Sequence, residues 1–290
     1  MIEINDRRAV LHDCAQLVMP RKGYSLHLGL NNVDRSHYLG PFDKLEGAEN
    51  DAKLMARLCG GAGFQTRIMA PSDVTRAKVS AAIENLAQTA RPGDIVCITF
   101  AGHGSQLPDL RREEDDLRDE TWCLYDAQIR DDELRALWGK FVAGVRLVII
   151  SDSCHSGSVL KIALAKHYKG TDPDIPEGGN GRRRDIPRAA QDLTYEAHKR
   201  FYDETDRATE PPACSVIQIG ACQDDEVAQD SSSNGVFTQV LAREWRDGSY
   251  KGNYLQLVEA TRQRLKWQWP SYRTDGQKDP AFEGQRVFTI

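Results

Sequence analysis

Several features that would place this chain in a large class are missing. No apolar run approaches the roughly 18 residues that a membrane-spanning helix needs, and the mean hydropathy of −0.55 fits a soluble protein. A basic excess is also missing. Lys and Arg number 38 against 43 Asp and Glu, for a net charge of −5. A protein that lives on bulk nucleic-acid affinity is usually basic overall, so that partner class is disfavoured. The seven cysteines form no CxxC pair, and their number is odd. Both facts argue against a disulfide scaffold or a zinc ribbon. The first residues, Met1 to Arg8, are too polar for a secretory leader, and His12, Asp13 and Gln16 interrupt the mild run from Ala9 to Met19. No internal repeat is visible. The expectation is a cytoplasmic monomer with reduced thiols and no membrane or nucleic-acid partner.

What remains is an alternation of apolar strands and amphipathic stretches. Strands are predicted at Tyr24–Asn31, Phe64–Met69, Ile95–Phe100, Val145–Ile150 and Ser215–Ile219. Helices are predicted from Gly47 to Leu58, from a cap at Ser72 or Asp73 to Thr89, and at Val236–Trp245 and Tyr254–Trp267. Short, wholly apolar runs such as IVCITF suit a buried parallel sheet. The fold class is therefore α/β, with a mostly parallel central sheet flanked by helices on both faces. Residues 1–21 read as an N-terminal extension and 22–290 as one domain. Two stretches break the pattern. Leu107 to Glu120 is densely charged and reads as an exposed loop. Lys166 to Pro212 is a long polar linker or insertion, of a length uncommon in a compact domain unless it serves function.

Two buried-type strands run into small, polar, glycine-containing turns. One reads Ala101-Gly102-His103-Gly104-Ser105, the other Asp152-Ser153-Cys154-His155-Ser156-Gly157. The carboxyl ends of parallel strands are where ligands and reacting groups gather. A Cys needs a base or cationic neighbour to become a thiolate at neutral pH, and His is the usual one. His103 precedes Cys154 by 51 residues, the order and approximate spacing of the caspase-type pair. A buried inert thiol is the commoner fate of a lone Cys, and the other cysteines read that way. His155, adjacent to Cys154 on an extended segment, points away from it and reads as structural.

These motifs resemble those of the metacaspases, the caspase-like cysteine peptidases of family C14, in their prokaryotic branch. Gly47-Ala-Glu-Asn-Asp51 resembles the segment after the first strand of that family, and Asp279-Pro-Ala-Phe-Glu-Gly284 the tail of its prokaryotic members. The resemblance spans roughly residues 22–290. It implies a caspase-hemoglobinase fold and endopeptidase activity on protein or peptide substrates. It makes Cys154 the nucleophile, His103 the general acid–base, and the backbone N–H groups of Gly104 and Cys154 the oxyanion hole, with an acyl-enzyme intermediate. It also implies that Asp51 and Asp152 line an S1 pocket for a substrate Arg or Lys, a pairing that carboxylates suit by bidentate hydrogen bonding. The bland alternative for Asp51 is a solvated helix residue. Ala48 and Ala101 stand where the family often has Cys and Ser.

An acidic group, Asp115, Asp116, Asp119, Asp131 and Asp132, could supply oxygens to a calcium ion. Asp119, Asp131 and Asp132 resemble ligand positions of the calcium-activated metacaspases, whereas Lys161 stands where a further acid is found. A solvated acidic loop, or a helix cap at Asp131, is the alternative. No cofactor is required by this reading, and calcium is an optional one. The polar segment 166–212 carries Lys166, Lys169 and Arg182-Arg183-Arg184. By resemblance it is a linker that an Arg-preferring peptidase could cut; it reads equally as a basic loop or an ordered cover over the cleft. Two other functions stand beside the peptidase: a catalytically idle module that binds a partner, and a hydrolase of non-peptide amides or thioesters.

Overall fold

The computed structural model describes residues 20–111, 117–154, 182–205, 210–222, 228–231, 233–265 and 268–290. Most of the N-terminal extension, Asp115, Asp116, His155, Lys161, Lys166 and Lys169 lie outside them.

The main sheet holds six strands: β1 (Gly23–Gly29), β2 (Gln65–Ile68), β3 (Ile95–Ala101), β7 (Arg146–Asp152), β9 (Ser215–Gly220) and β11 (Ser271–Gly276). Their spatial order is β11-β9-β7-β3-β1-β2, and all pairings are parallel except that of β11 with β9. Strands β1 and β3 are buried along their whole length, as expected for parallel strands covered on both faces. Alternate residues feed two cores. Ile95, Cys97, Val148, Ile150, Ile217 and Ile219 face one side. Val96, Ile98, Phe100, Leu147, Ile149 and Val216 face the other.

The first core is closed by α1 (Ala48–Gly61), α5 (Val236–Trp245) and α6 (Tyr254–Arg264). The second is closed by α2 (Arg76–Thr89) and α3 (Asp131–Trp138). Gly29 lets α1 sit close over β1, since a Cβ there would lie 2.5 Å from the Ala48 carbonyl oxygen.

Several expectations need correction. Helix α2 begins at Arg76; Pro71–Asp73 form a separate short turn, so neither Ser72 nor Asp73 caps it. The Arg76 N–H instead donates to Asp126 at 2.9 Å. The charged stretch 107–120 is not simply an exposed loop. Its ends belong to a second, antiparallel sheet of β4 (Gly104–Pro108), β5 (Arg118–Cys123) and β6 (Gln128–Arg130). Polar residues enter this sheet because they are paired inside it: Asp119 is bonded to fully buried Arg130. The polar segment 166–212 contains α4 (Arg188–Thr205), whose Tyr195 and Tyr202 pack with Leu107 of β4. Just before α4, β8 (Arg182–Arg183) pairs antiparallel with β10 (Gln229–Asp230).

Candidate active site

The register of the central sheet brings His103 and Cys154 to the same edge. Ala101 of β3 is the partner of Asp152 of β7, and each of the two residues lies two positions beyond that pair. The Gly102 N–H donates to the Asp152 carbonyl at 3.3 Å and holds the two strand ends together. His103 is 1% exposed. Its Nε2 lies 2.8 Å from the Asp43 carbonyl oxygen. A carbonyl only accepts, so Nε2 carries the hydrogen and Nδ1 of the neutral ring has its lone pair available. Nδ1 is buried without a hydrogen-bond partner among the described residues. Burial holds the ring neutral, lowering its pKa to about 4, and Arg184 pushes in the same direction against the Asp43 hydrogen bond.

Cys154 is fully buried. Its sulfur accepts from the Ala228 N–H and lies 3.0 Å from the sulfur of Cys222. Burial raises the thiol pKa well above the usual value, and the bond to Cys222 and the charge of Asp185 raise it further. The resting group is a thiol. The six cysteines among the described residues are all unpaired in the disulfide sense.

The third participant is Arg184. Its side chain is fully buried and surrounded by acids from three separate elements. Nη2 lies 2.6 Å from Asp51 of α1 and 2.7 Å from Asp230 at the end of β10, and Nη1 lies 3.2 Å from Asp152 of β7. Each carboxylate is itself oriented. Asp51 accepts from the Asn234 side chain at 2.8 Å and from the Gly235 N–H at 3.0 Å. Asp152 accepts from the Thr238 hydroxyl at 2.6 Å. Asp230 accepts from the Glu46 N–H at 2.7 Å. Burial works against the charge on Arg184, yet Asp152, Asp51 and Asp230 outweigh it and raise its pKa. Burial, aided by Asp152 and opposed by Arg184, lifts Asp51 to about 7. Three acids out of water without a cation would repel one another, so the pocket calls for a cationic occupant.

The backbone of Arg184 is held as closely as its side chain. Its carbonyl oxygen accepts from Gly104 N–H at 2.7 Å and from Cys154 N–H at 3.3 Å. Its own N–H donates to the Ala228 carbonyl at 3.0 Å, continuing the β8–β10 ladder. On the other side, Asp185 forms a parallel bridge with Gly104, and Ile186 N–H donates to the Gly104 carbonyl at 3.0 Å. Residues 182–186 thus run through the cleft in extended form, hydrogen-bonded on both flanks.

Sequence reasoning named Cys154, His103, Gly104, Asp51 and Asp152, and the fold gathers all five around Arg184. Asp51 is buried, not a solvated helix residue. Ala48 and Ala101 pack with Leu45 in a small buried apolar cluster beside them. Asp230, Asn234, Gly235 and Thr238 were missed. Their signal was available: Asp230 to Gly235 is a polar, small-residue loop ahead of a helix, on the same carboxyl-end side of the sheet.

Asp119, Asp131 and Asp132 lie within electrostatic reach of one another, but two of the three are already engaged by arginines. Asp119 is bonded to Arg130 and Asp132 to Arg111. Asp131 is exposed and is the first residue of α3, with Arg130 at the cap position, so it is not the cap either. No cluster of three or more His, Cys, Asp or Glu suited to a metal is present among the described residues.

The parallel sheet with a His and a Cys at adjacent strand ends is the architecture of a caspase-like fold. The family description "Caspase domain" matches residues 33–287, and the chain belongs to that family, peptidase C14. It is homologous to metacaspases. It is 29% identical over 278 residues to Metacaspase-1 of Emericella nidulans, covering 84% of this chain and 67% of the relative. With Metacaspase-1 of Schizosaccharomyces pombe the identity is 28% over 279 residues, covering 84% and 64%. The chain thus spans about three-fifths to two-thirds of such relatives. Among solved structures, protein GSU0716 from Geobacter sulfurreducens is 41% identical with a TM-score of 0.81, covering 93% of this chain and 99% of that one. Caspase-1 from Spodoptera frugiperda shares the fold at a TM-score of 0.50 and 10% identity, covering 87% and 86%.

No helix of the described residues is long and apolar enough to cross a membrane.

Proposed function

We propose that this chain is a cysteine endopeptidase that cuts peptide bonds after Arg, and after Lys less tightly. The observation that carries this reading is Arg184: its guanidinium is enclosed by Asp51, Asp152 and Asp230 while its carbonyl oxygen receives two backbone N–H groups. A planar guanidinium can bond several carboxylates at once, whereas an ammonium on a shorter reach meets them as a point charge. A P1 Asp would add a fourth carboxylate and is rejected.

In this mechanism His103 Nδ1 takes the Cys154 proton, and sulfur attacks the carbonyl carbon of the P1 residue. The N–H groups of Gly104 and Cys154 hold the developing oxyanion. His103 returns the proton to the leaving amine, then activates water to hydrolyse the thioester. The Asp43 carbonyl fixes the tautomer that makes Nδ1 the base. The thiol is not bonded to His103 in the resting state; such contacts commonly tighten only when the reacting complex forms. Unpaired thiols suit a reducing, cytosolic setting. Calcium enters this reading only as a cation that must compete with Arg130 and Arg111 for Asp119 and Asp132.

The test is hydrolysis of peptides differing only at P1. Wild type should favour Arg over Lys and ignore Asp. Cys154→Ala should abolish turnover, and His103→Ala should do nearly the same, with the fold retained. Preference for P1 Asp, or undiminished turnover by Cys154→Ala, would end the assignment.

A further inference from the structure

Cys222 reads as one of the inert thiols in the sequence, yet the fold sets it against the nucleophile. It lies two residues past the end of β9, and Cys154 lies two past the end of β7. These strands are hydrogen-bonded neighbours, with Ser151 paired to Gly220. The Ala221 N–H donates to the Ser151 carbonyl at 2.9 Å and carries the pairing one step further. The two sulfurs come within 3.0 Å. Each is also held from a second side. Cys154 accepts from the Ala228 N–H, and the Cys222 thiol donates to the Ser153 carbonyl at 3.6 Å. With the Cys222 hydrogen on that carbonyl, the hydrogen between the sulfurs belongs to Cys154. Nδ1 of His103 has no partner among the described residues, so the resting sulfur is turned to Cys222 and not to its base. Roughly 1 Å of approach would turn the contact into a disulfide.

The pair is reached from behind. Cys222 lines a cavity of about 300 Å3 together with Ser151 and Ser153. Arg273 and Thr274 of the edge strand β11, both exposed, line it too and open it to solvent. Among the described residues, neither His103 nor any of the three acids around Arg184 contributes to its wall. A small polar molecule therefore reaches Cys222 while Arg184 still fills the acidic pocket. Cys154 is fully buried and is not part of that wall.

We propose that Cys154 and Cys222 form a reversible oxidation site, at which a hydroperoxide oxidises Cys222 and the disulfide that follows silences the nucleophile. The effect on activity rests on the peptidase reading; the disulfide itself does not.

The steps balance with hydrogen peroxide as the oxidant. The Cys222 sulfur attacks one peroxide oxygen, the O–O bond breaks, and the Cys222 thiol proton leaves with the other oxygen as water. Cys222 is then a sulfenic acid. The Cys154 sulfur attacks the Cys222 sulfur, the S–OH bond breaks, and the Cys154 proton leaves with the hydroxyl as a second water. Two thiols have lost two electrons, and the peroxide has taken them up. The disulfide keeps both sulfurs from the sulfinic stage, which is irreversible without a dedicated repair enzyme. A dithiol returns both thiols by exchange.

The test treats the purified full chain with hydrogen peroxide, quenches in acid, alkylates with N-ethylmaleimide and digests for mass spectrometry. Wild type should yield two peptides joined through Cys154 and Cys222, and should take two fewer alkyl groups than the seven of the reduced chain. Hydrolysis of an Arg peptide should fall in step with that linkage and return with dithiothreitol. Cys222→Ser and Cys222→Ala should be inactivated roughly tenfold more slowly, because peroxide must then reach buried Cys154 directly. Activity that these variants lose should stay lost after dithiothreitol. In Cys154→Ala, peroxide should leave a sulfenic acid on Cys222 that dimedone captures. Inactivation of wild type without the joined peptides, a linkage between other cysteines, or a loss that dithiothreitol does not reverse overturns the site. The joined peptides are read in wild type, so poor folding of a variant does not obscure them. Inactivation of both Cys222 variants at the wild-type rate overturns Cys222 as the point of entry. Joined peptides in a chain that hydrolyses no Arg peptide before oxidation leave the site standing and overturn the peptidase reading.

Discussion

Gly235 approaches Arg184 so closely that a Cβ on it would lie 2.6 Å from the guanidinium carbon. The same atom would lie 2.4 Å from Asp152 Oδ2. The backbone of Gly235 is ordinary, with φ −62° and ψ 142°, so glycine is needed here for space and not for conformation. Gly235→Ala should fold but lose hydrolysis of Arg peptides by roughly 100-fold, the equivalent of about 2.7 kcal/mol. Steady-state kinetics and a melting curve together check this. Retained Arg turnover would mean that substrate does not use the space that Arg184 fills.

The three acids should not be equal to their replacements. Asp230→Asn and Asp51→Asn should each reduce Arg cleavage while changing cleavage after an uncharged P1 residue little. Truncating one partner of a buried charge pair costs about 2–5 kcal/mol, or roughly 30-fold to several thousand-fold. A P1-matched peptide pair measures the difference directly. Equal losses on both peptides would indicate structural damage instead of lost recognition.

Cys222 stabilises the neutral thiol of Cys154 through the contact between their sulfurs. Cys222→Ala should therefore shift the pH midpoint of Cys154 alkylation by iodoacetamide to lower pH. An unmoved midpoint would show that burial alone sets the thiol.

His103 is held neutral in the folded state, with its pKa lowered from 6.5 to about 4. The unfolded chain binds this proton as pH falls through 6.5 while the folded chain does not. Stability is thus intact above the unfolded value and declines between 6.5 and 4. At pH 5 the decline is about 2 kcal/mol, at 1.36 kcal/mol per unit. In the Cys154→Ala background, His103→Gln should lose less melting temperature between pH 7 and 5 than its parent. Identical losses would place the ring in water.

Calorimetric titration of Cys154→Ala with calcium should reveal binding no tighter than about 1 mM, because Arg130 and Arg111 already engage Asp119 and Asp132. Arg111→Ala should tighten it. Micromolar binding to the unaltered chain would show that the arginines yield easily.

The central sheet was legible because its strands are apolar and uninterrupted, and because helices with a clear apolar stripe follow them. The His and Cys turns were legible for the same reason: they end such strands. Strands β4, β5 and β11 were not, since they read GSQLP, RDETWC and SYRTDG and show neither an apolar run nor a clean apolar alternation. Their polar groups are neutralised by partners distant in sequence, such as Arg135 with Asp275 at 2.7 Å. Arg184 shows the limit most directly. In the sequence it belongs to a glycine- and arginine-rich run with every mark of an exposed loop. Its burial depends on Asp51, Asp152 and Asp230, and only the assembled sheet brings those three within reach of one side chain.

The two-residue ladder of β8 on β10 is short for an independent pairing. What it lacks in length is supplied by tethering. Arg184 follows Cys154 by only 30 residues in the same chain, and such a tethered segment meets its site at an effective concentration on the order of millimolar. An outside peptide must outcompete that local excess, whatever its own affinity. The acidic pocket thus holds Arg184 of its own chain in preference to a freely diffusing cation of equal affinity.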